Sequence, residues 1–388
     1  MRHNVRKLIV TLHLSALVVL VIAGCGGGQS GASGGGGAVG NGPSAGEYLW
    51  GFSLNDPNLY VSTINTTTGQ LGAPIASGGA ACNSGGTIST VAVAPSNTFT
   101  FVIDKCIVSI HVYAMSGPGV MLQEIVGSPY FVSNDLSSIA IDPGGKILYA
   151  LGTNPPAIYQ AAVNSSTGTL TANSPTMLTG DVRQMVMDAQ GKFLFINDET
   201  DGTILVYSIV GNGTLSPVTG SPFNVPANNQ PEGILIDSGG KFLYAPLIQG
   251  GIAAFSVNRA TGALTEIAGS PFPTSSQPFT LAITPSAKFL YSIGGSSNDA
   301  IDAFSIDAGT GALSSIAGSP FSAPNPLSSL VVDASGNFLY ATVQTDMQVD
   351  SVFFGFSISP SDGSLTTLAT SPYPAPAFPV NAVSLNIP

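Results

Sequence analysis

The sequence predicts an all-β fold, a seven-bladed β-propeller of four-stranded antiparallel blades closed by pairing of the N- and C-terminal strands. Three observations predict it. The phrase Gly-Lys-Ile-Leu-Tyr at Gly145–Tyr149 returns at Gly191–Phe195, Gly240–Tyr244, Ala287–Tyr291 and Gly336–Tyr340, and in worn form at Gly46–Trp50 and Asn97–Phe101. Each segment between copies reads as four short strands separated by turns. The two termini carry complementary fragments of one such unit. Repeats that cannot bury an apolar face alone must stack, and four-stranded repeats in series stack as a propeller.

The unit from Gln230 to Phe272 shows the elements in order. Gly233–Asp237 is a short apolar run, the first strand. Ser238-Gly239-Gly240 turns the chain into Lys241–Ala245, the second. Pro246–Gly251 is a variable loop, Ile252–Val257 the third strand, Arg259–Gly262 a turn, and Ala263–Ile267 the fourth strand. Glycine and asparagine supply positive φ at the turns, and β-branched and aromatic residues fill the strands. Anchored on Glu47, Thr98, Lys146, Lys192, Lys241, Lys288 and Asn337, the units recur at spacings of 46 to 51 residues. Asn381–Ile387 reads as a first strand and Tyr48–Phe52 as a second. Joining them completes the first blade and leaves no open sheet edge. No stretch in this body carries a helical period.

Residues 1–24 read as a signal peptide. Arg2, Arg6 and Lys7 form a basic start, and Leu14–Ile22 is an apolar run too short for a permanent membrane span. Ile22-Ala23-Gly24-Cys25 is the pattern cut in bacterial lipoproteins, where the cysteine thiol receives the lipid. The alternative is an ordinary secretory signal with a chance cysteine. Residues 25–46 are a Gly-rich tether with a root-mean-square reach of about 25 Å. Residues 47–388 form the propeller. Gly26, not an aspartate, follows Cys25, which favours the outer membrane. The expectation is a lipid-anchored monomer of the cell envelope, touching the membrane only through the Cys25 lipid.

Charge narrows the partners. Seven of the ten basic residues and all 21 acidic residues lie beyond Cys25, a balance of about −14. Such a surface argues against nucleic acid and anionic lipid. Lys146, Lys192, Lys241 and Lys288 belong to the repeated phrase, leaving Lys105, Arg183 and Arg259 as unusual cations. His111 is the one histidine beyond the signal, and it lies in an apolar strand, so no metal site of the Cys/His type and no cofactor is expected. The acidic loop Asn197–Gly202 lacks the spacing of a calcium loop and reads as a solvated turn; the loops with Asp299, Asp346 and Asp350 read alike. Trp50 reads as core. Cys82 and Cys106 fall on the same face of one blade. A disulfide between them would close a 24-residue loop and stabilise by about 3 kcal/mol; two buried free thiols are the alternative.

Antiparallel blades put alternate loops on opposite faces. The Gly-Lys and Thr-Gly turns are short and uniform. The opposite face carries loops of varying length, where a binding site belongs. Aligned at the channel mouth on that face are Ser89, Ser137, Arg183, Glu232, Phe279, Ser328 and Asn381. Arg183 and Glu232 are charged and on neighbouring blades. They read either as a ligand-binding pair or as an ion pair joining two blades.

Gly-Ser-Pro-Phe at 220–223, 269–272 and 318–321, Gly-Ser-Pro-Tyr at 127–130, Thr-Gly-Ala-Leu at 261–264 and 310–313, and Gly-Lys-Phe-Leu-Tyr resemble the repeats of the lactonase-type seven-bladed propellers. That family includes 6-phosphogluconolactonases and carboxymuconate cyclases, and the resemblance covers about Tyr48 to Pro388. Its enzymes carry a Pro-Arg-His run followed by Asn-Glu after the next strand. Here Val182-Arg183-Gln184 precedes Asp198-Glu199. The resemblance implies that Arg183 stabilises the oxyanion of an attacked lactone and that Glu199 activates water. Gln184 departs from the family's histidine, and the strand at Ser137 lacks the histidines of the preceding blade. A phosphorylated substrate needs several cations in one place, and this chain offers few. The expectation is therefore a propeller that binds a small ligand or an envelope protein on its variable face. The alternatives are a hydrolase or cyclase of a non-phosphorylated lactone, using Arg183 and Glu199, and a structural envelope module.

Overall fold

The structure is a computed structural model. It describes residues 46–53, 58–79, 88–116, 120–132, 134–226, 229–294, 300–323, 327–343, 352–375 and 379–387. The signal peptide, Cys25, most of the tether, Cys82, Asp299, Asp346 and Asp350 lie outside these. The described residues form seven antiparallel sheets, and none lies in an α-helix. The first blade joins Ile75–Gly79, Asn58–Ile64, Gly46–Ser53 and Pro379–Ile387 in that order. Leu49 pairs with Ser384 and Tyr48 with Leu385, so the last strand closes the ring on the first.

In blades two to seven the first strands are Ile88–Val93, Leu136–Ile141, Val182–Met187, Leu235–Ile236, Pro278–Ile283 and Leu327–Val332. Each is followed outward by a second, third and fourth strand. Five of the seven sheets carry a further two-residue strand, which the expected four-stranded blade does not include. In three of them, as at Phe223–Asn224, it comes from the Gly-Ser-Pro segment folding back on the third strand, and in blade seven from Thr370-Ser371-Pro372. The serine explains why the motif recurs. Ser221 Oγ accepts from Val206 N at 2.8 Å, and Ser270, Ser319 and Ser371 do the same for Ala254, Ala303 and Gly355. Each hydroxyl satisfies a third-strand N–H that the short fourth strand leaves uncovered.

The other two motifs lock blade to blade. Tyr244 OH donates to Gly311 O in the next blade's Thr-Gly turn at 2.9 Å, and Tyr291 to Gly363 O at 2.8 Å. Tyr340 donates to Gly69 O at 2.8 Å, carrying the same bond across the seam between blades seven and one. The turn must be glycine. At Gly262 φ is +77°, and a Cβ would meet the Phe193 ring at 2.6 Å. Apolar clusters fill every seam; one joins Phe195 and Val206 to Leu243 and Phe255, and another joins Leu49 and Leu71 to Phe338 and Phe353. Trp50 is fully buried, as expected.

Candidate functional site

A bulge, where the first strand carries one residue more than the second, recurs at the variable-loop end of each blade. Bulges re-aim side chains and are common at rims. Ser89, Ser137, Arg183, Glu232, Phe279 and Ser328 all stand in this register shift. In the first blade Asn381 pairs with Phe52 and Pro379 with Ser53, so Val380 occupies the shift and Asn381 belongs to the regular ladder. The other six positions stand five residues before the residue that opens the turn into the second strand, as Arg183 does before Asp188. The terminal strand has no such turn to anchor an alignment.

Arg183, Glu199 and Glu232 come together. Arg183 Nη2 donates to Asp181 Oδ2 at 2.7 Å, and its Nε lies 2.9 Å from Glu199 Oε2. The second contact is close without the alignment of a hydrogen bond. Glu232 shares this field. Burial, then the charge of Glu199, push its carboxyl up to about 7, against the pull of Arg183. A carboxyl titrating near neutrality beside a guanidinium and a second carboxylate is the arrangement that moves protons.

Three further groups belong to the mouth. Asp181 binds Arg183 directly. Lys105 interacts electrostatically with Asp135 and Arg183; burial lowers its ammonium pKa, Asp135 opposes that, and Arg183 adds to it. A signal for Lys105 exists in the register. Ile88 pairs with Asp104 as Val182 pairs with Asp198, so Lys105 holds in blade two the place of Glu199 in blade four. Arg259, by contrast, is exposed in a Thr-Gly turn on the opposite face.

A buried layer fixes these side chains. Gln184, where the family's histidine would stand, is 5% exposed. Its Oε1 accepts from Ile234 N at 2.9 Å and its own N–H donates to Asn197 Oδ1 at 2.7 Å. Asn197 Nδ2 donates to Pro231 O at 2.7 Å. Blade four is thus stitched to blade five on both sides of Glu232. Asp198 Oδ1 accepts from Asp181 N and Asp201 N. Burial raises its pKa while those bonds lower it.

The remaining expected residues contribute less polar reach. Ser137 is buried, its hydroxyl 3.5 Å from Leu151 O. Ser328 Oγ meets Thr342 Oγ1 at 2.6 Å. Phe279 packs into the apolar seam of blades six and seven. Only the backbone of Ser89 and Asn381 is described. His111 is fully buried and lies 2.6 Å from Glu124 Oε1 through Nδ1, a packed strand residue. Cys106 is disulfide-bonded, with Cys82 outside the described residues. No cluster of three or more metal-ligating side chains occurs among the described residues.

A family profile described as "Lactonase, 7-bladed beta-propeller" matches residues 90–226 and 183–328. Among solved structures, the chain is similar to the periplasmic gluconolactonase of Pseudomonas aeruginosa, with 16% identity, a TM-score of 0.71, and coverage of 88% of this chain and 100% of that one. It is similar to candidate 6-phosphogluconolactonases of Bacteroides fragilis, with 17% identity, TM-score 0.71 and coverage of 88% and 98%, and of Bacteroides uniformis, with 18%, 0.72, and 87% and 99%. No curated protein matches the chain. At these identities the structures speak for the fold, while the profile spans more than half the sequence: the chain belongs to the lactonase family of seven-bladed β-propellers.

Proposed function

We propose that this propeller hydrolyses a lactone without phosphate at the mouth formed by Arg183, Glu199 and Glu232. The observation that carries the reading is the meeting of Arg183 and Glu199, 2.9 Å apart, in the field of Glu232, whose carboxyl is pushed up to about 7 by burial and then by the charge of Glu199. As carboxylate, Glu232 takes a proton from water while the oxygen adds to the lactone carbonyl. The Nη1 edge of Arg183, which makes no hydrogen bond among the described residues, meets the oxyanion. The ring C–O bond then breaks, Glu232 returns the proton to the leaving alkoxide, and a hydroxy acid results. Glu199 and Asp181 orient the guanidinium. This gives Glu232 the proton-handling role that the family resemblance implies for Glu199.

Lys105 and Arg183 are the cations of the mouth among the described residues, beside the carboxylates of Asp135, Asp181, Glu199 and Glu232, so a phosphoryl group finds little to bind it. Export and lipidation at Cys25 form part of the proposal and suit a neutral substrate outside the cytosol. A second reading, recognition of a small ligand or envelope partner by the same face, is favoured by the engagement of Arg183 with two carboxylates.

Purified protein is assayed against sugar and aromatic lactones above the spontaneous rate. Turnover should fall by about 10²–10³ in Arg183→Ala. Turnover that survives this change rejects the mechanism; no turnover on any lactone favours the recognition reading.

A further inference from the structure

A polar pocket of about 350 Å³ opens beside the mouth, at the seam of blades four and five. Its side chains are Thr200, Asp201, Asn224, Asn229, Gln230 and Gln249. They come from four separate segments: the loop after the second strand of blade four, the end of that blade, the crossing to blade five, and the loop of blade five. The volume lies in the lower part of the range for small-molecule sites.

The pocket is built. Asn229 is 4% exposed. Its Oδ1 accepts from Gln230 N at 2.9 Å and from Gln249 N at 3.0 Å. That commitment fixes the amide and leaves its Nδ2 donors for the cavity. Gly202 lets the blade-four loop close against this residue. Its φ is +63°, and a Cβ there would meet Asn229 O at 2.5 Å. Its carbonyl accepts from Val225 N at 3.0 Å, tying the loop to the end of the blade.

The lining selects by chemistry. Among the described residues no Lys or Arg lines the pocket, so a phosphate or carboxylate would meet Asp201 and no counter-charge. Asp201 is the single acid of this described lining, too few for a hard cation. Val225 is its one large apolar residue, and no aromatic ring is among the described lining residues. What remains is a concave set of carboxamides, a carboxylate and a hydroxyl that both donate and accept hydrogen bonds.

We propose that this seam pocket binds an uncharged, polyhydroxylated ligand, a neutral saccharide, independently of the catalytic mouth. Vicinal hydroxyls offer paired donors and acceptors that planar amide and carboxylate groups can meet two at a time. The inference goes beyond the lactone reading because binding is read without turnover.

The test is titration of purified protein with maltose, cellobiose and N,N′-diacetylchitobiose, followed by calorimetry and protein NMR. At least one should bind saturably. Affinity should drop about tenfold or more in Gln249→Ala and in Asp201→Ala, each removing exposed hydrogen-bonding groups without touching the core. Arg183→Ala should bind as the parent does. Three results overturn the proposal: no saturable binding of any probe, binding unchanged in both pocket variants, or binding lost in Arg183→Ala.

Discussion

Glu47 stands where four other blades carry lysine, at Lys146, Lys192, Lys241 and Lys288. It is 8% exposed and faces Asp333, which is fully buried, across the seam that closes the ring. Asp333 accepts from Phe338 N at 2.8 Å, from Ser335 N at 3.2 Å, and from the Ser335 hydroxyl. The proton the pair holds therefore sits on Glu47. Burial first, then the charge of Asp333 and a hydrogen bond to it, raise the Glu47 carboxyl from 4.5 to about 7. The folded chain binds this proton more tightly than the unfolded chain. Stability from this group is thus fully present below about pH 4.5, falls as pH rises towards 7, and stays low above it. Lifting the carboxyl from 4.5 to about 7 corresponds to on the order of 3 kcal/mol. Glu47→Gln replaces the carboxyl O–H donor facing Asp333 with an amide N–H donor and removes the titration. Urea unfolding should show Glu47→Gln more stable than the parent by about 1–3 kcal/mol at pH 8 and equal to it near pH 4.5. Equal stability at both pH values, or a gain confined to low pH, refutes the reasoning.

Three further outcomes follow from the same geometry. Tyr340→Phe strands the buried Gly69 carbonyl and should cost about 1–3 kcal/mol, as should Tyr244→Phe at Gly311, since an intact ring treats its seams alike; denaturant midpoints measure both. Gly262→Ala forces a Cβ onto Phe193 at a left-handed φ and should destabilise by more than about 1 kcal/mol in the same assay. Gln184→Leu leaves Ile234 N without its acceptor, so it should cost about 1–3 kcal/mol and lower kcat on any lactone turned over, with KM changing less.

Much of the architecture was legible because the motifs are structural. The Tyr of Gly-Lys-Phe-Leu-Tyr and the Gly of Thr-Gly-Ala-Leu recur together since one donates to the other, and the Gly-Ser-Pro serine recurs because it satisfies an exposed strand N–H. The closing strand was legible because Asn381–Ile387 alternates like a first strand. The mouth was only half legible. Arg183 and Glu232 stand out as charges at equivalent rim positions, and Glu199 through the family resemblance. Lys105 reads in the sequence as an unusual cation without a place, and Asp135 and Asp181 carry no signal of their own; the ring brings Lys105 and Asp135 to Arg183, while Asp181 lies two residues before it. The terminal strand carries the same bulge, at Val380, one residue before Asn381, and no strand turn follows it to fix the alignment. The upward shift of Glu232 depends on burial and on Glu199, and neither can be read from its neighbours in sequence.

The most direct test of the proposed chemistry is the pH dependence of kcat/KM for lactone hydrolysis, in the parent and in Glu232→Gln. A base with a pKa of about 7 predicts a rate that climbs as pH rises through 7 and levels above it, with that limb absent and the rate about 10²–10⁴ lower in the variant. A profile flat through this range, or a Glu232→Gln protein as active as the parent, would contradict it.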